Sequence, residues 1–350
     1  MHSLHDDELE ADLWTAVLVL TLLFLCTIAS LTRKQYQLRR KKGMTEHIGF
    51  IGLENMGLPM ARNLLRAGFA LRIFDLHEEQ VAPLVALGAQ LVNSPREVVE
   101  AGGIVITMVP DDAALERVVL GKEGILLELE EGGIHLCMST ISPGLAAELA
   151  RVYAGQHSTY VAAPALGRPD VAAAGNLAIF LAGPHAAKAR VQPLLQVLGQ
   201  RIFDFGEEAS AAHVVKLAAN FLIASALEAM AEATTLAEKH GVERSQFIDM
   251  LGLTLFNCPV YTGYGPMMAQ HRYQPALFPM PVGLKDMQLC LEMARQVQIP
   301  VPLAHLVADR LQATINRGWE MLDWSGLALH VLEEAGLSVE HARQDLTGAA

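Results

Sequence analysis

Lys216 and Asn220 form the pair of residues whose types and spacing best suit proton transfer. Lys216 lies in an apolar run, and Asn220 follows four positions later, which places both side chains on one face of a helix. A lysine in apolar surroundings has a lowered pKa and suits proton exchange with a substrate hydroxyl, which the asparagine would orient. From spacing alone, a lysine that extends along the helix to water explains the pattern equally well. His213, one turn earlier, is expected on the helix surface.

A second constellation is a glycine turn near residue 50. Gly52 and Gly57 follow the apolar run Ile48–Ile51, and Asp75 ends a second apolar run about twenty residues later. This is the arrangement of the G-x-G-x-x-G turn that binds dinucleotides, in which the acid accepts hydrogen bonds from the adenosine ribose. A carboxylate at that place repels a 2′-phosphate, so NAD is favoured over NADP.

Glu54 occupies the position of the second glycine in that turn. This glycine normally lets the backbone approach the pyrophosphate. A carboxylate is compatible with the helix N-terminus that follows, so the fold need not suffer. Repulsion of about 1 kcal/mol would nevertheless weaken cofactor binding several-fold, unless the side chain points to solvent.

The elements that must position these residues follow two patterns. Up to Gly206, continuous apolar runs alternate with helical segments, including one around Glu78–Leu87, which is typical of a mostly parallel sheet. The sequence therefore predicts an α/β, Rossmann-type, doubly wound domain over residues 44–206. Its predicted strands are Ile48–Ile51, Ala70–Phe74, Ile104–Met108, Ile134–Met138, Tyr160–Ala163, Ala178–Ala182 and Arg201–Phe205.

After Gly206 the pattern becomes helical. The segment Ser210–His240 contains no Gly or Pro and carries apolar residues around most of its circumference, so it predicts one long buried helix. Further helices are expected at Ser245–Leu251, Leu284–Gln296 and Leu303–Arg317. The prediction is an all-α domain over residues 207–335 with a tail over 336–350. An all-α half this apolar indicates a homo-oligomer.

Composition excludes several classes of function. Of the 350 residues, 52% are hydrophobic and 18% are charged, which is unlike a disordered chain. The formal net charge of −12 argues against a nucleic acid partner, because phosphate binding needs a basic face. The 4 cysteines are far apart with no metal-like spacing. Each lies in an apolar stretch and is expected to be a small buried side chain.

The N-terminal 43 residues differ from the rest. Residues 13–32 contain no charged side chain and are long enough to cross a bilayer as a helix. Acidic residues precede this run and basic residues follow it, which predicts an anchor with the remaining chain in the cytosol. The competing interpretation is that residues 1–43 extend a soluble enzyme that begins at Met44.

Several motifs together resemble the β-hydroxyacid dehydrogenase family. The segment Ile48–Leu64 reads IGFIGLENMGLPMARNL and is similar to the signature I-G-F-I-G-L-G-x-M-G-x-x-M-A-x-N-L of 3-hydroxyisobutyrate dehydrogenase and its relatives. The resemblance extends from about Met44 to about residue 330. It implies a nicotinamide-dependent oxidoreductase that acts on a small molecule.

The resemblance also implies a set of cofactor contacts. Val109-Pro110 ends the fourth strand where the family lines the cofactor, Thr140 belongs to an S-T-x-S-P turn beside the nicotinamide, and Lys285-Asp286 matches a K-D pair near the cofactor. The residues expected at the cofactor are Gly52, Asn55, Met56, Gly57, Asp75, Val109, Pro110, Thr140 and Lys285.

Catalytic and substrate residues are implied in the same way. Lys216 and Asn220 match the K-x-x-N-N motif in its lysine and last asparagine, and Ser139 matches the serine that contacts substrate. With this match, catalysis by Lys216 is preferred to the surface lysine. Asp323 matches a C-terminal aspartate with a mainly structural role.

The substrate loop departs from the family pattern. Family members read D-A-P-V-S-G-G where this chain has Ala162–Arg168, so Leu166 replaces the serine that holds a substrate carboxylate and Arg168 replaces the second glycine. Gly167 and Arg168 are expected at the substrate. Arg168 either binds an anionic group or covers the exterior of the loop. This variant resembles a branch related also to imine reductases.

The sequence is compatible with three functions. The leading hypothesis is an NAD-linked dehydrogenase of a small hydroxy acid or related carbonyl compound. The altered loop suggests instead an imine or semialdehyde reductase of the same superfamily. Glu54 and the N-terminal segment suggest a membrane-tethered binding protein with impaired cofactor use.

Overall fold

A six-stranded sheet forms the first half of the protein. The computed structural model describes residues 47–77 and 81–339. The strands stand in the order β3-β2-β1-β4-β5-β6, and the pairs β1–β4, β4–β5, β5–β6 and β2–β3 are parallel. They are β1 His47–Ile51, β2 Ala70–Phe74, β3 Gln90–Leu91, β4 Ile104–Thr107, β5 Ile134–Cys137 and β6 Thr159–Ala162. The order reverses between β1 and β4, which opens a crevice at their carboxyl ends, where ligands bind in such sheets.

Three further strands form a separate small sheet. Strand β7 (Ala165–Leu166) pairs antiparallel with β8 (Leu177–Leu181), and β8 pairs parallel with β9 (Gly199–Asp204). The sequence did not separate these strands from the main sheet, because an apolar run shows burial and not which strand it pairs with.

Helices cover both faces of the main sheet. On one face, α1 buries Met60 and Leu64 against the strands. On the other face, the side chains of Asp111 and Ser142 cap α3 and α4 by accepting the N–H groups of Ala114 at 2.7 Å and Leu145 at 3.1 Å. The helices are α1 Gly57–Arg66, α2 Ala82–Val85, α3 Asp112–Leu120, α4 Pro143–Gly155, α5 Pro169–Ala173 and α6 His185–Leu198, with a 3₁₀ turn at Pro95–Val98.

The second half of the chain is helical and is organised around one long helix. Helix α7 packs against each of the later helices and also against α4, β6 and β8. Among the described residues it is the one helix long and apolar enough to cross a membrane, and these contacts make it a core helix here. The helices are α7 Ala209–Lys239, α8 Arg244–Gly252, α9 Pro259–Ala269, α10 Met280–Gln296, α11 Pro302–Ile315 and α12 Leu327–Glu334, with a 3₁₀ turn at Trp324–Gly326.

The predicted Rossmann sheet followed by a helical region is confirmed, with local corrections. The helix expected around Glu78–Leu87 is described only as Ala82–Val85. Helix α9 was not predicted, because it contains Pro266. Cys258 is exposed rather than buried, since it is the residue before α9. The candidate transmembrane helix 13–32, the rest of the 1–43 extension and most of the 336–350 tail lie outside the described residues.

Candidate active site

A cavity of ≈ 420 Å³ opens at the carboxyl ends of β1, β2 and β4 and reaches α7 and α10. All nine residues expected at the cofactor line this cavity: Gly52, Asn55, Met56, Gly57, Asp75, Val109, Pro110, Thr140 and Lys285. Lys216 and Gly167 line it as well. Asn220, Ser139 and Arg168 are not among the lining residues.

The β1–α1 turn has the geometry that a dinucleotide turn requires. Gly52 has a φ of 90°, and a Cβ there would collide with the carbonyl of Met108, while a Cβ at Gly57 would collide with the carbonyl of Gly52. Within the described part of the chain, no side chain caps α1 and its first turn carries no acid. Because Asn55, Met56 and Gly57 line the cavity, this uncapped helix N-terminus lies at its wall, where its dipole suits a pyrophosphate.

Asp75 holds this turn to the end of β2. Its Oδ2 accepts the N–H of Leu53 at 2.5 Å, and its Oδ1 accepts the N–H of His77 at 2.8 Å. The residue is 9% exposed. The sequence predicted a ribose contact for Asp75, and the structure gives both oxygens a backbone partner in addition to their place on the cavity wall.

Glu54 points away from the interior of the turn. Its side chain is 55% exposed, with Oε1 3.8 Å from Nε2 of His77, and its carbonyl accepts the N–H of Leu58 at 3.2 Å. The start of α1 is therefore intact, and the carboxylate stands on the rim of the cavity.

A buried hydrogen-bonded line joins α7 to α10 at the other end of the cavity. Nζ of Lys216 donates to Oδ1 of Asn220 at 3.1 Å, and Nδ2 of Asn220 donates to Oδ2 of Asp286 at 2.5 Å. Oδ1 of Asp286 lies 3.1 Å from Nζ of Lys285. Lys216, Asn220 and Asp286 are each at most 4% exposed. The interpretation of Lys216 as a surface lysine is therefore wrong.

Burial sets the ionisation of Lys216. Desolvation lowers the pKa of its ammonium to about 8; the Asp286 carboxylate opposes this shift and the Lys285 ammonium adds to it. Near neutral pH, the ammonium and the neutral amine are therefore both accessible, which is the property a general acid or base needs.

His213 is buried rather than on the helix surface. Its Nε2 lies 3.2 Å from the hydroxyl of Tyr160, and burial lowers its pKa to about 3. It is therefore a neutral side chain that joins the first turns of α7 to β6. The sequence pattern missed this because it does not show that the first turns of α7 pack against β6.

Ser139 and Lys285 bind backbone groups of the loops that the sequence predicts beside the nicotinamide. Ser139 is fully buried, and its Oγ accepts the N–H of Val109 at 2.7 Å. Its expected contact with substrate stays a prediction, and the structure adds this contact with the backbone. Nζ of Lys285 donates to the carbonyls of Pro110 at 2.9 Å and Thr140 at 2.7 Å.

Arg168 lies outside the cavity. Its guanidinium carbon is 5.3 Å from the centre of the Tyr264 ring, and its Nε is 3.6 Å from Oδ1 of Asp170. Of the two alternatives for Arg168, these contacts favour the exterior one, because the guanidinium connects the start of α5 to α9.

Sequence reasoning missed the wall formed by Leu277, Phe278 and Pro279, which line the cavity just before α10. Oδ2 of Asp323 holds this wall by accepting the N–H groups of Leu277 at 3.1 Å and Phe278 at 2.9 Å. The structural role expected of Asp323 agrees with this contact, but nothing in the sequence indicates which loop it holds.

Comparison with known proteins places this geometry in a family. Residues 47–206 match the model described as the NAD binding domain of 6-phosphogluconate dehydrogenase. Residues 210–332 match the model described as NAD-binding of NADP-dependent 3-hydroxyisobutyrate dehydrogenase.

Individual proteins agree with these matches. An uncharacterized oxidoreductase, YfjR, of Bacillus subtilis is 43% identical over 280 residues, 80% of this chain and 98% of that protein. Glyoxylate/succinic semialdehyde reductase 1 of Arabidopsis thaliana is 31% identical over 280 residues, covering 80% and 96%. The solved structure of Mycobacterium tuberculosis 3-hydroxyisobutyrate dehydrogenase with L-serine is 28% identical, covers 82% of this chain and 99% of that chain, and superposes with a TM-score of 0.73. The chain therefore belongs to the β-hydroxyacid dehydrogenase family of nicotinamide-dependent oxidoreductases.

Proposed function

We propose that the protein is an NAD-linked dehydrogenase that interconverts a small hydroxy acid and its carbonyl counterpart, with Lys216 as general acid and base. The observation that carries this proposal is the ammonium of Lys216, which is 4% exposed, lines the cavity and has a pKa lowered to about 8 by burial.

The cofactor fits the cavity at named residues. The N-terminus of α1 at Asn55, Met56 and Gly57 would hold the pyrophosphate, and Val109-Pro110 would lie against the nicotinamide half. A nicotinamide cofactor supplies or accepts the hydride when it is bound. NAD is proposed in preference to NADP because Asp75, at the end of β2, places a carboxylate on the cavity wall that would repel a 2′-phosphate.

Lys216 carries the proton. In the reductive direction its ammonium donates a proton to the carbonyl oxygen as that oxygen becomes a hydroxyl. In the oxidative direction its neutral amine accepts the hydroxyl proton. The lowered pKa keeps both forms within reach of neutral pH.

Asn220 and Asp286 orient Lys216. The amide of Asn220 is shared between Nζ of Lys216 and the carboxylate of Asp286, so we assign it a positioning role in addition to the substrate contact expected from the sequence. Asp286 also draws Lys285 towards the same point. This chain of contacts holds the Lys216 side chain in one position at the cavity wall.

Turnover of a substrate panel tests the proposal. Purified protein is assayed with NAD and with NADP against β-hydroxy acids, following absorbance of the reduced nicotinamide. We expect turnover of at least one small hydroxy acid with NAD. Binding of NAD without turnover of any hydroxy acid in the panel would contradict the substrate class.

A second candidate is reduction of a semialdehyde or an imine. Leu166 replaces the serine expected to hold a substrate carboxylate, and the substrate wall is apolar at Ala165, Leu277 and Phe278. The similarity to a glyoxylate/succinic semialdehyde reductase supports a semialdehyde. Reduction of glyoxylate, succinic semialdehyde and a cyclic imine by reduced cofactor, in the absence of hydroxy acid oxidation, would favour this candidate.

We also propose that the protein forms a homo-oligomer. Val214, Leu222 and Leu236 are 39%, 68% and 63% exposed on one side of α7, where an apolar stripe would be covered by a second copy. Light scattering of the parent and of Leu222→Glu tests this, with a smaller assembly expected for the variant. An unchanged mass would contradict it.

The anchor and the cytosolic location are proposed from the sequence. Residues 13–32 and the basic residues that follow them support a single anchor with the catalytic region in the cytosol. Fractionation of cells that express the full chain, beside a chain beginning at Met44, tests this. Full chain in the soluble fraction would contradict the anchor.

A further inference from the structure

The end of the cavity formed by the β1–α1 turn, the end of β2 and α3 is called the adenosine end here. Glu54, Asp75, Leu76, Pro95 and Arg117 line it. In dinucleotide-binding folds this end receives the adenosine ribose, whose 2′ position is free in NAD and phosphorylated in NADP. Its charged groups therefore decide which cofactor binds.

Asp75 is restrained at this end. Both of its oxygens accept backbone N–H groups, from Leu53 at 2.5 Å and from His77 at 2.8 Å, and the residue is 9% exposed. Its charge is partly balanced by these two N–H dipoles. Asp75 therefore shapes the turn, and its field outside the turn is weakened.

Glu54 carries the more exposed negative charge at this end. Its side chain is 55% exposed, and its Oε1 lies 3.8 Å from Nε2 of His77. His77 lies two residues after Asp75, on the loop that passes the 2′ position in this fold. A carboxylate here repels a phosphate and stands beside the imidazole that would otherwise donate a hydrogen bond to one.

We propose that Glu54 is a specificity-determining residue that excludes the 2′-phosphate of NADP, so that the substitution in the glycine turn selects the cofactor. This inference rests on the proposed use of a nicotinamide dinucleotide. It assigns a selective role to the residue that, in the sequence, suggested only weakened binding.

Calorimetric titration of NAD and NADP separately into the parent and into Glu54→Gln tests the inference. The substitution removes the charge and keeps the shape. We expect the Kd of NADP to fall about five- to tenfold, and that of NAD to change by no more than about twofold. Glu148→Gln, which removes an exposed carboxylate on α4 outside the cavity, should leave both constants unchanged.

Two further variants distinguish the contributions of His77 and Arg117 to NADP binding. In Glu54→Gln/His77→Ala, about half of the gain in NADP affinity should disappear, because the released imidazole contributes to it. Arg117→Ala tests the other cation at this end. NADP affinity that depends on Arg117 and is unaffected by Glu54→Gln would overturn the proposal.

The remaining outcomes are also decisive. Equal tightening of NAD and NADP in Glu54→Gln would mean that Glu54 acts on the pyrophosphate they share, and would overturn the inference. Tighter binding of NADP with unchanged binding of NAD supports the inference. Failure of the folded parent to bind either dinucleotide would defeat the proposed function itself, whereas tight NAD binding with no effect of Glu54 defeats only this inference.

Discussion

The two ends of the cavity use charge in opposite ways. The catalytic end (Lys216, Asn220, Lys285, Asp286) is a buried line of hydrogen bonds in which Lys216, Asn220 and Asp286 are at most 4% exposed. At the adenosine end, Glu54 and His77 face solvent with side chains 55% and 66% exposed. Charges that are buried together interact strongly, and separating them costs a large free energy. Exposed charges interact weakly through water and are screened by salt.

This difference explains the order of the effects expected from substitution. Groups in the catalytic end are held in one arrangement and, in the proposed mechanism, act on the reacting atoms through Lys216. Groups at the adenosine end adjust the affinity for one part of the cofactor. We therefore expect the largest losses of rate at the catalytic end and modest changes in binding at the adenosine end.

Lys216→Ala gives the largest expected effect. Removal of a general acid and base lowers kcat by about 10² to 10⁴, while the Kd of NAD should change little because the adenosine end is untouched. Kinetics in both directions and calorimetric titration with NAD measure the two quantities. Lys239→Ala, at the other end of α7 where Nζ donates to the carbonyl of Ala335, is the matched control. Full kcat in Lys216→Ala would remove Lys216 from the mechanism.

The pH dependence of the parent follows from the same lysine. The pKa of Lys216 is lowered to about 8, so the ammonium that donates in reduction is lost, and the amine that accepts in oxidation is gained, as pH rises through about 8. Asp286 raises this pKa. Asp286→Asn should therefore move both profiles to lower pH and lower kcat about tenfold, because Asn220 loses a charged partner.

Profiles of kcat against pH for the parent, Asp286→Asn and Asp309→Asn measure this shift. Asp309 is exposed on α11 and serves as the control. Circular dichroism establishes that each variant is folded at each pH. A profile that stays in place in Asp286→Asn would mean that the carboxylate does not act on Lys216.

Asp75→Ala gives an intermediate effect. It leaves the N–H groups of Leu53 and His77 without their carboxylate acceptor, which costs about 1–3 kcal/mol of unfolding free energy. Because the turn then loosens, the Kd of NAD should rise about tenfold. Thermal unfolding and NAD titration measure both effects, with Asp249→Ala on the exposed side of α8 as control. A loss of stability with unchanged NAD affinity would mean that the hydrogen bonds of Asp75 stabilise the turn without contributing to cofactor binding.

The sequence predicted the adenosine end better than the surroundings of the catalytic end. The turn from Gly52 to Gly57 and the strand that ends at Asp75 are local patterns with a fixed spacing. Lys216 and Asn220 are likewise four residues apart on one helix. Local geometry determines such pairs, so they can be read before the fold is known.

The missed contacts join parts of the chain that only tertiary packing brings together. Asn220 and Asp286 are separated by 66 residues, and the ring of Tyr264 meets Arg168 from another helix. Ser139 carries a family motif, yet its hydroxyl holds the backbone of Val109. Periodicity indicates which residues are buried and not which neighbours they meet, which is why the partners of Lys216 were only partly predictable.

Ionic strength gives the smallest expected effect and separates the two ends most sharply. Raising salt from about 0.05 to about 0.5 M shortens the screening length from about 14 to about 4 Å. The ratio of the Kd of NADP to the Kd of NAD should therefore fall a few-fold in the parent, because Glu54 acts through solvent. In Glu54→Gln it should change less. The pH midpoint set by Lys216 should move little, since Asp286, the carboxylate that acts on it, is fully buried and shielded from salt. A preference insensitive to salt in the parent would place the discrimination in buried groups such as Asp75, and the contrast between the two ends would fail.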